Sequence, residues 1–580
     1  MASAAALSPK TGALNLTEDQ MRSVLDHVNN ALQALREERM SFWLHWREIA
    51  EYLLPRRYRF LVIPNKATRG SPINQRIIDE TGVVAWRTLS AGMMSGITSP
   101  GRPWFRLTVE DQDLADIPAV KLWAAEVVKR MLTVMAESNY YTAKATQYGD
   151  LAAFGTAPML IYEDYEDVIR CYNPAAGEYF VANDNRLKVA KFAREFTYTI
   201  SQVVQEFGLE NCSANVRATY ERGKGGLQQE IIIGHVIEQH DDQGAFAGVN
   251  LAKGFKWREV YWELGSAGGV LRVKGYYEFP CSCPRWDLVG NDSYGRSPAM
   301  DALGSLKQLQ VETKAKGVGI LKHVDPPLLA DLQLKNQPAS TLPGRITFVQ
   351  SVANSGGMKP VYQVAPDLTG LIADIQDVRE RIKEVFFVPL FMMISQLDTV
   401  RTATEIDARR EEKLIQLGPV LERFENESLD PDIDRIFAIM LRANLLPPIP
   451  KELSGQTLKV QYISMLAQMQ RAASTSAIER FFAFIGSLLG ADPGALDNAD
   501  VDEAIAEYGD LLGVNPKIIR SALKTAQIRA QRAQQQQQMQ AVQLTEAGVQ
   551  GAQTLSQTDV GGGQNALEQI LYGAGGRQAA

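Results

Sequence analysis

Two cysteines and two histidines are the residues of this sequence that could bind a transition metal. Cys281 and Cys283 are separated by one residue, and His235 and His240 lie upstream. A structural zinc site usually has two closely spaced ligand pairs. The sequence has no second pair at short spacing. We therefore interpret the two cysteines as the end of a β-rich run, and we expect neither a metal ion nor a cofactor.

Two acidic runs could hold Mg²⁺ in a nuclease. One is "EDYED", from Glu163 to Asp167, and the other is Asp241-Asp242. Both fall in predicted turns, where charged residues are usually solvated. His323 precedes "VDPP" without a nucleophile marked nearby, so we expect a loop residue rather than a general base. A metal-dependent DNA-processing enzyme is retained as an alternative function.

The common nucleotide-binding and hydrolase motifs are missing from the sequence. "RGKGG" (Arg222 to Gly226) lacks both the first Gly and the final Ser/Thr of a phosphate-binding loop. The sequence also lacks the G-x-S-x-G and H-E-x-x-H patterns. We therefore expect a protein that is not an enzyme.

A short basic cluster could contact nucleic acid. Arg56, Arg57, Tyr58 and Arg59 combine positive charge with an aromatic ring, although an interface or surface role is the alternative. The formal net charge of the chain is −7. Tight coating of nucleic acid depends on Lys and Arg, so the acidic balance argues against that role and still allows DNA to pass without sticking.

Length and composition indicate a large protein with a substantial core. The chain has 580 residues, of which 45% are hydrophobic. No apolar run approaches the roughly 20 residues of a membrane span, so we expect no membrane contact. Four cysteines in so long a chain favour a reducing compartment.

The N-terminal part reads as helical. Thr17 to Gln20 matches a capping box, and the apolar spacing that follows predicts a helix that stops at Pro55. Pro55 to Pro64 reads as an extended link, and a second helix is predicted over Ile77 to Met94.

The middle of the chain changes to short β-rich runs separated by turn residues. Residues 159–279 predict a mostly antiparallel β region. A helix is predicted within it from Ile200 to Gly208.

Two helices around a small insert follow the β region. Ser297-Pro298 predicts the start of the first helix, and the apolar stripe of the second includes Ile375, Val378 and Ile382. The insert contains a predicted strand over Arg345 to Gln350. The second helix also carries charged residues away from its stripe: Asp374, Asp377, Glu380, Arg381, Lys383 and Glu384.

A longer predicted helix begins with a capping motif and is then interrupted by a Gly-Pro pair. Thr402 and Glu405 match a capping box, whereas Gly418-Pro419 interrupts the helix. A proline in a helix costs about 3 kcal/mol, so we predict either a fixed bend or two separate helices. A helical C-terminal part is predicted to about Ala533, followed by a Gln-, Gly- and Ala-rich tail.

Three segments occur in a distinctive order. They are "LSAGMMSGITSPGRPWFRL" (Leu89 to Leu107), "WDLVGNDSYGRSPAMDALGSLKQLQ" (Trp286 to Gln310) and "RTATEIDARREEKLIQLGPVLERFENE" (Arg401 to Glu427). Together they resemble the head-to-tail connector, or portal, proteins of short-tailed, podovirus-type bacteriophages. The likeness spans roughly Thr17 to Leu446.

The resemblance implies an α+β, mainly α, portal-type fold assembled as a ring. In portal proteins one helix descends the channel wall, a small α/β clip forms the narrow end, and a second helix returns. The parts implied are a disordered N-terminus (1–16), an N-terminal helical wing part (17–158), a β-rich wing part (159–296), a first stem helix (297–322), a clip (323–366), a second stem helix (367–388), a tunnel loop (389–401), a kinked wing helix with the following helix (402–446), a helical crown (447–533) and a low-complexity tail (534–580).

The same resemblance implies which residues face DNA. We hypothesise a bore of mixed charge, because a uniformly basic bore would hold DNA too tightly. The alternatives are that the lysines are interface or surface residues and that the Met-rich loop packs against its neighbours. The predicted channel residues are Lys307, Lys314, Lys316, Lys322, Met392, Met393, Gln396 and Arg401.

The function implied is that of a portal. We expect a homo-oligomeric ring, a dodecamer of about twelve subunits, through which double-stranded DNA is packaged and ejected without sequence specificity. The implied partners are the packaging ATPase (terminase large subunit), the major capsid protein and scaffold, and the tail adaptor and nozzle proteins. The expected location is the portal vertex of the virion, after assembly in the host cytoplasm. A non-viral structural ring is a second alternative.

Overall fold

The structure is a computed structural model of the chain, and it describes most of the residues before 454 and part of the remainder. The described residues are 14, 16–58, 61, 76–111, 114, 117–223, 225–240, 246, 252–265, 268–325, 328–330, 358–360, 368–395, 417–453, 458–463, 478–487, 499–502, 504–505, 508 and 522–557. The chain forms two compact units. The first comprises Met1–Ala115 with Leu122–Gln470, and the second comprises Asp116–Lys121 with Arg471–Ala580.

The N-terminal helix begins at the predicted capping box. Helix α1 spans Glu18–Tyr52, and Thr17 Oγ1 accepts a hydrogen bond from the Gln20 amide at 3.3 Å. The Gln20 side chain in turn accepts one from the Thr17 amide at 3.1 Å. The extended link predicted after Pro55 is wrong over its first four residues, because helix α2 spans Pro55–Tyr58. Proline is well tolerated in the first turn of a helix, where its missing N–H has no intrahelical partner.

Helices dominate the chain before the β region. The second predicted helix is confirmed, although it lies a few residues further on. The elements are α3 (Thr81–Ile97), β1 (Phe105–Val109), α4 (Pro118–Glu137) and α5 (Tyr140–Phe154).

The predicted antiparallel β region is confirmed. It contains a five-stranded sheet in the order β4-β5-β6-β7-β8 and a three-stranded sheet in the order β3-β2-β9, with antiparallel neighbours throughout. The strands are β2 (Met159–Asp164), β3 (Val168–Tyr172), β4 (Tyr179–Asn183), β5 (Val189–Thr199), β6 (Glu230–Gln239), β7 (Trp257–Glu263), β8 (Val270–Tyr276) and β9 (Cys281–Ser282).

Two apolar clusters lie against the five-stranded sheet. One joins the buried face of α1, including Val24 and Leu32, to sheet residues such as Val236 and Trp262. The other contains Ile200 and Val203 of helix α6 (Ile200–Phe207) and Val216 of helix α7 (Ala214–Glu221). The predicted helix after β5 is therefore confirmed, and its apolar side packs into the second cluster.

The helical C-terminal part predicted over residues 447–533 is wrong at residues 458–462, which form a strand. Strand β12 (Leu458–Tyr462) pairs antiparallel with β1, and Phe105 faces Tyr462 in the register. The sequence "LKVQY" alternates apolar and polar residues, which is the period of a strand. Its partner lies some 350 residues earlier, so local pattern reasoning did not find it.

Two helices joined through a short pair of strands follow the β region, and further helices come after them. Helix α8 (Pro298–Val324) is followed by the paired strands β10 (Leu328–Ala330) and β11 (Met358–Pro360), and then by α9 (Leu368–Val385) and α10 (Val388–Ser395). The strand predicted at Arg345 to Gln350 lies outside the described residues. Residues 417–424 are helical, Glu425–Leu429 form a π-helical turn, and α11 spans Asp430–Arg442.

The second unit contains helices α12 (478–487) and α13 (Ala522–Gln557). Helix α13 extends well past the predicted boundary at residue 533, because Gln and Ala are good helix formers. The low-complexity composition of this stretch therefore does not prevent regular structure.

Candidate functional site

The candidate site is the hairpin of α8 and α9, and its first helix starts as predicted. Ser297 precedes Pro298, and its Oγ accepts a hydrogen bond from the Met300 amide at 3.2 Å. The same hydroxyl donates to the Ala153 carbonyl at 2.7 Å. The cap therefore also fixes the start of α8 to the end of α5.

Helix α8 is buried in its first half and exposed in its second. Leu303, Leu306 and Leu309 are buried, whereas Leu321 and Val324 are 67% and 75% exposed. The helix extends to Val324, so the loop predicted at His323 is wrong. A helix usually ends before the residue that precedes a proline, and here it ends just before Asp325-Pro326.

Helix α9 has the predicted amphipathic pattern. Ile375, Val378, Ile382 and Phe386 are buried. The six charged residues predicted to lie away from this stripe are all exposed: Asp374, Asp377, Glu380, Arg381, Lys383 and Glu384.

A polar clamp joins both hairpin helices to the start of α3. Gln310 Oε1 accepts hydrogen bonds from the amides of Ile78 (2.6 Å) and Asp79 (2.8 Å). Arg379 donates to Asp79 Oδ2 through Nε (3.0 Å) and Nη2 (2.7 Å). The Asp79 carboxylate also accepts from the Thr81 amide at 2.9 Å. We refer to Asp79, Gln310 and Arg379 as the Asp79 clamp.

The hydrogen bonds of the clamp favour the ionised form of the Asp79 carboxyl group. Burial alone would raise the pKa of Asp79, but hydrogen bonds from Thr81 and Arg379 outweigh it and lower the pKa below its usual value. The sequence analysis did not predict this clamp. The one feature of the sequence that pointed to this clamp was Gln310, a polar residue beside the apolar stripe of α8.

The predicted channel lysines have different environments. Lys307 forms an ion pair with Glu48 of α1 at 2.8 Å. Lys314 and Lys322 are exposed, and Lys316 is half-buried. The contact of these residues with DNA stays a prediction.

The predicted tunnel loop begins with a helix. Helix α10 covers Val388–Ser395, and the backbone changes direction before it at Phe387, which has a φ of 54°. Leu390 and Phe391 are buried, and the Phe391 ring packs so closely on Gly92 that a Cβ there would lie 2.2 Å from it. Met392 is 48% exposed. The side chain of Met393, and Gln396 and Arg401 entirely, lie outside the described part of the chain.

The helix that was predicted to bend has an irregularity that sequence reasoning missed. The π-helical turn Glu425–Leu429 is followed directly by Asp430-Pro431. A proline in a helix clashes with the carbonyl four residues earlier, and a wider turn at that point accommodates it. Gly418 and Pro419 lie in the first described turn of this helix, and a bend there stays a prediction. Thr402 and Glu405 lie outside the described residues.

The π-helical turn is held by two buried cations. Arg285 donates to Glu427 through its backbone amide (2.9 Å) and guanidinium Nη2 (2.5 Å). Lys144 donates to Ser428 Oγ (2.6 Å) and Asp432 Oδ2 (2.5 Å). Burial lowers the pKa of Lys144, while the Asp432 carboxylate acts in the opposite direction. We refer to these contacts as the Lys144 and Arg285 clamps.

The candidate metal ligands are used inside the fold. Cys281 and Cys283 are buried thiols, and burial raises the pKa of each well above its usual value. His235 contacts Glu259 at 2.9 Å and Arg194 at 3.0 Å. In the described part of the chain, no three His, Cys, Asp or Glu side chains are grouped so that they could hold a metal ion.

The acidic and basic runs have structural contacts as well. Glu163 pairs with Arg442 at 2.8 Å, and Asp164 Oδ1 accepts from the Glu166 amide at 2.8 Å. Arg57 pairs with Asp150 at 2.9 Å. Asp241, Asp242 and Arg59 lie outside the residues that the structure describes.

The described residues form a mixed α+β fold, mostly helical, with a helical hairpin whose outer half is exposed. Residues 25–519 match the family of bacteriophage head to tail connecting proteins, and the chain belongs to this family. It is 43% identical over 538 residues to a probable portal protein of Bordetella phage BPP-1, covering 92% of this chain and 96% of that protein. It is 41% identical over 550 residues to a portal protein of Salmonella phage epsilon15, covering 94% and 98% respectively. Within the described residues, no helix is both long and apolar enough to cross a bilayer.

Proposed function

We propose that this chain is the portal protein of a bacteriophage. It forms a ring at one capsid vertex, and double-stranded DNA is packaged and ejected through that ring. Family membership and the near-complete coverage of two portal proteins support this function. The structural observation that carries it is the hairpin, because the outer half of α8 has exposed apolar residues that a single chain leaves in water.

The hairpin forms the wall of the channel in this proposal. A closed ring of about twelve copies, related by a heterologous contact, surrounds the DNA with α8 and α9. The candidates for DNA contact are Lys314, Lys316, Lys322 and Met392, whereas the ion pair with Glu48 occupies Lys307. Met393, Gln396 and Arg401 remain predicted channel residues in this proposal.

The protein has a structural rather than a catalytic role in this proposal. The packaging ATPase docks at the clip during filling, and the tail adaptor and nozzle proteins replace it afterwards. The capsid protein and scaffold contact the ring during assembly in the host cytoplasm, and the C-terminal helices form the crown.

Electron microscopy of the purified full chain tests this function. We expect negative-stain images of rings with a central hole that admits duplex DNA. Single subunits under every assembly condition, together with virions that lack the protein, would contradict the proposal. Incubation of the protein with plasmid DNA and Mg²⁺ tests the nuclease alternative, for which cleavage is the required result.

A further inference from the structure

The exposed half of α8 has two chemically different sides. Side chains on a helix advance by about 100° per residue, so residues three or four apart share a side. One such series contains two valines, Val311 and Val318, which are 67% and 42% exposed. We call this series the valine–lysine face: Lys307, Val311, Lys314, Val318 and Lys322.

The other side of the same turns is mixed, because it contains polar residues together with Ile320, which is 42% exposed. Glu312, Lys316 and His323 are four and seven residues apart and share this side. Lys314 and Lys316 are two positions apart, so their side chains leave the helix axis about 200° from each other. One turn of α8 therefore has Lys314 between two valines, and Lys316 beside Glu312 and Ile320 on the other side.

Helix α9 has a complementary surface. Asp374, Asp377, Arg381 and Glu384 are spaced by three, four and three residues, and all are exposed. Arg381 pairs with Asp377 at 3.2 Å, which leaves the surface negatively charged. We call these four residues the acidic face.

The Asp79 clamp sets the relative height of the two surfaces. Gln310 and Arg379 both contact Asp79, and the β10–β11 pair connects the end of α8 to the start of α9, so the helices run antiparallel. Lys314 is four residues beyond Gln310, about 6 Å along the axis. Asp374 and Asp377 are five and two residues before Arg379, so they bracket the same height.

We propose that the valine–lysine face of one copy docks on the acidic face of the next copy in the ring. This inference rests on the proposed ring function. Rotation about a ring axis that runs along the helices preserves height, which places Lys314 of one copy beside Asp374 and Asp377 of its neighbour. The valines supply apolar area, and the charges set the orientation because like faces repel.

The predicted channel lysines then have two different roles. Lys314, between Val311 and Val318, belongs to the contact between subunits, since exposed apolar side chains gain from being covered. Lys316 lies on the opposite side of the helix and stays available to the bore. The ring contact is heterologous, because two different faces of the same chain meet.

A pair of complementary charge reversals tests the docking. One variant carries Lys314→Glu and Lys322→Glu, and the other carries Asp374→Lys and Asp377→Lys. Each variant alone places like charges across every contact, so we expect the protein concentration for half-assembly to rise about tenfold or more. An equal mixture restores opposite charges in an alternating ring, and we expect assembly to recover. Native mass spectrometry of the full-length protein measures both effects.

Lys316→Glu is the matched control for the single substitution Lys314→Glu, because it makes the same charge change on the opposite side of the same turn. It is expected to assemble as the unmodified protein does. The single substitutions Lys314→Glu and Asp374→Lys provide a milder pair if a double variant loses its thermal unfolding transition.

The possible outcomes distinguish a failure of the proposed docking from a failure of the proposed ring function. If the unmodified protein forms no rings, the proposed function itself fails. If it forms rings and the charge-reversed variants assemble equally well, or if mixing gives no recovery, the docking is overturned while the ring remains.

Discussion

The Lys144 and Arg285 clamps and the faces of the hairpin use charge in opposite ways. Lys144 and Arg285 are 0% and 1% exposed, and each cation has a carboxylate partner within its own chain. Lys314 and Asp374 are exposed, and neither forms an ion pair with another described residue. A buried charge requires a partner of opposite charge in the same fold. An exposed charge is solvated and can form its ion pair with another molecule. The buried contacts are therefore completed within one chain, whereas the exposed charges of the hairpin remain available to another molecule.

The largest predicted effect comes from breaking the Lys144 clamp. Lys144→Met keeps most of the side-chain volume but leaves the buried Asp432 carboxylate without its cation. Loss of one partner of a buried pair costs about 3–5 kcal/mol. We expect a loss of this size in the free energy of unfolding, measured by urea denaturation.

Lys314→Met provides the comparison for Lys144→Met, because it removes the same charge from an exposed position. Its unfolding free energy should change by less than about 0.5 kcal/mol. Equal losses for the two variants would show that the distinction between the regions is wrong.

A smaller effect is expected where α10 packs on α3. In Gly92→Ala the new methyl group would lie 2.2 Å from the Phe391 ring. Overpacking of this kind costs about 1–3 kcal/mol, and we expect the thermal unfolding midpoint to fall. Gly317→Ala in the exposed half of α8 has open space around the added carbon, so there we expect a gain of roughly 0.5–1 kcal/mol.

The Asp79 clamp provides a pH-dependent test at the boundary between the two regions. Arg379→Met removes a charged hydrogen-bond donor from Asp79, and we expect a cost of about 1–2 kcal/mol at pH 7. The lowered pKa of Asp79 means that its stabilising contribution is present above the unfolded pKa of about 3.9 and is lost as pH falls through the folded pKa.

The stability difference between the unmodified protein and Arg379→Met should therefore shrink as pH falls below about 4. Arg381→Met is the control, because Arg381 is exposed and pairs with Asp377 on its own helix. It should cost less than about 0.5 kcal/mol at any of these pH values. A difference that stays constant with pH would contradict the role of the Asp79 carboxylate.

The smallest change in folding is expected from the valines of the hairpin. The double variant Val311→Ser, Val318→Ser should alter the unfolding free energy of the isolated subunit by less than about 0.5 kcal/mol, because both side chains are exposed. Its assembly should weaken, which native mass spectrometry can measure. A variant that assembles normally would show that the valines are ordinary surface residues.

Local patterns predicted much of the fold and part of the candidate site. The capping box at Thr17, the cap at Ser297 and the apolar stripe of α9 were all readable, because each depends on residues within one or two helical turns. The pairing of β1 with β12 and the Asp79 clamp were missed. Their partners are far apart in the chain, and no local period marks such contacts.

The amino-acid sequence by itself determined the family, the order of the elements and which helix faces are apolar, because periodicity and capping act over a few residues. Only the tertiary structure decided which polar groups are already paired. Lys307 and Lys314 are similar by sequence, yet Lys307 contacts Glu48 from a distant helix and Lys314 is exposed. The physical reason is that the environment of a charge depends on the segments that fold around it, and those segments come from distant parts of the chain.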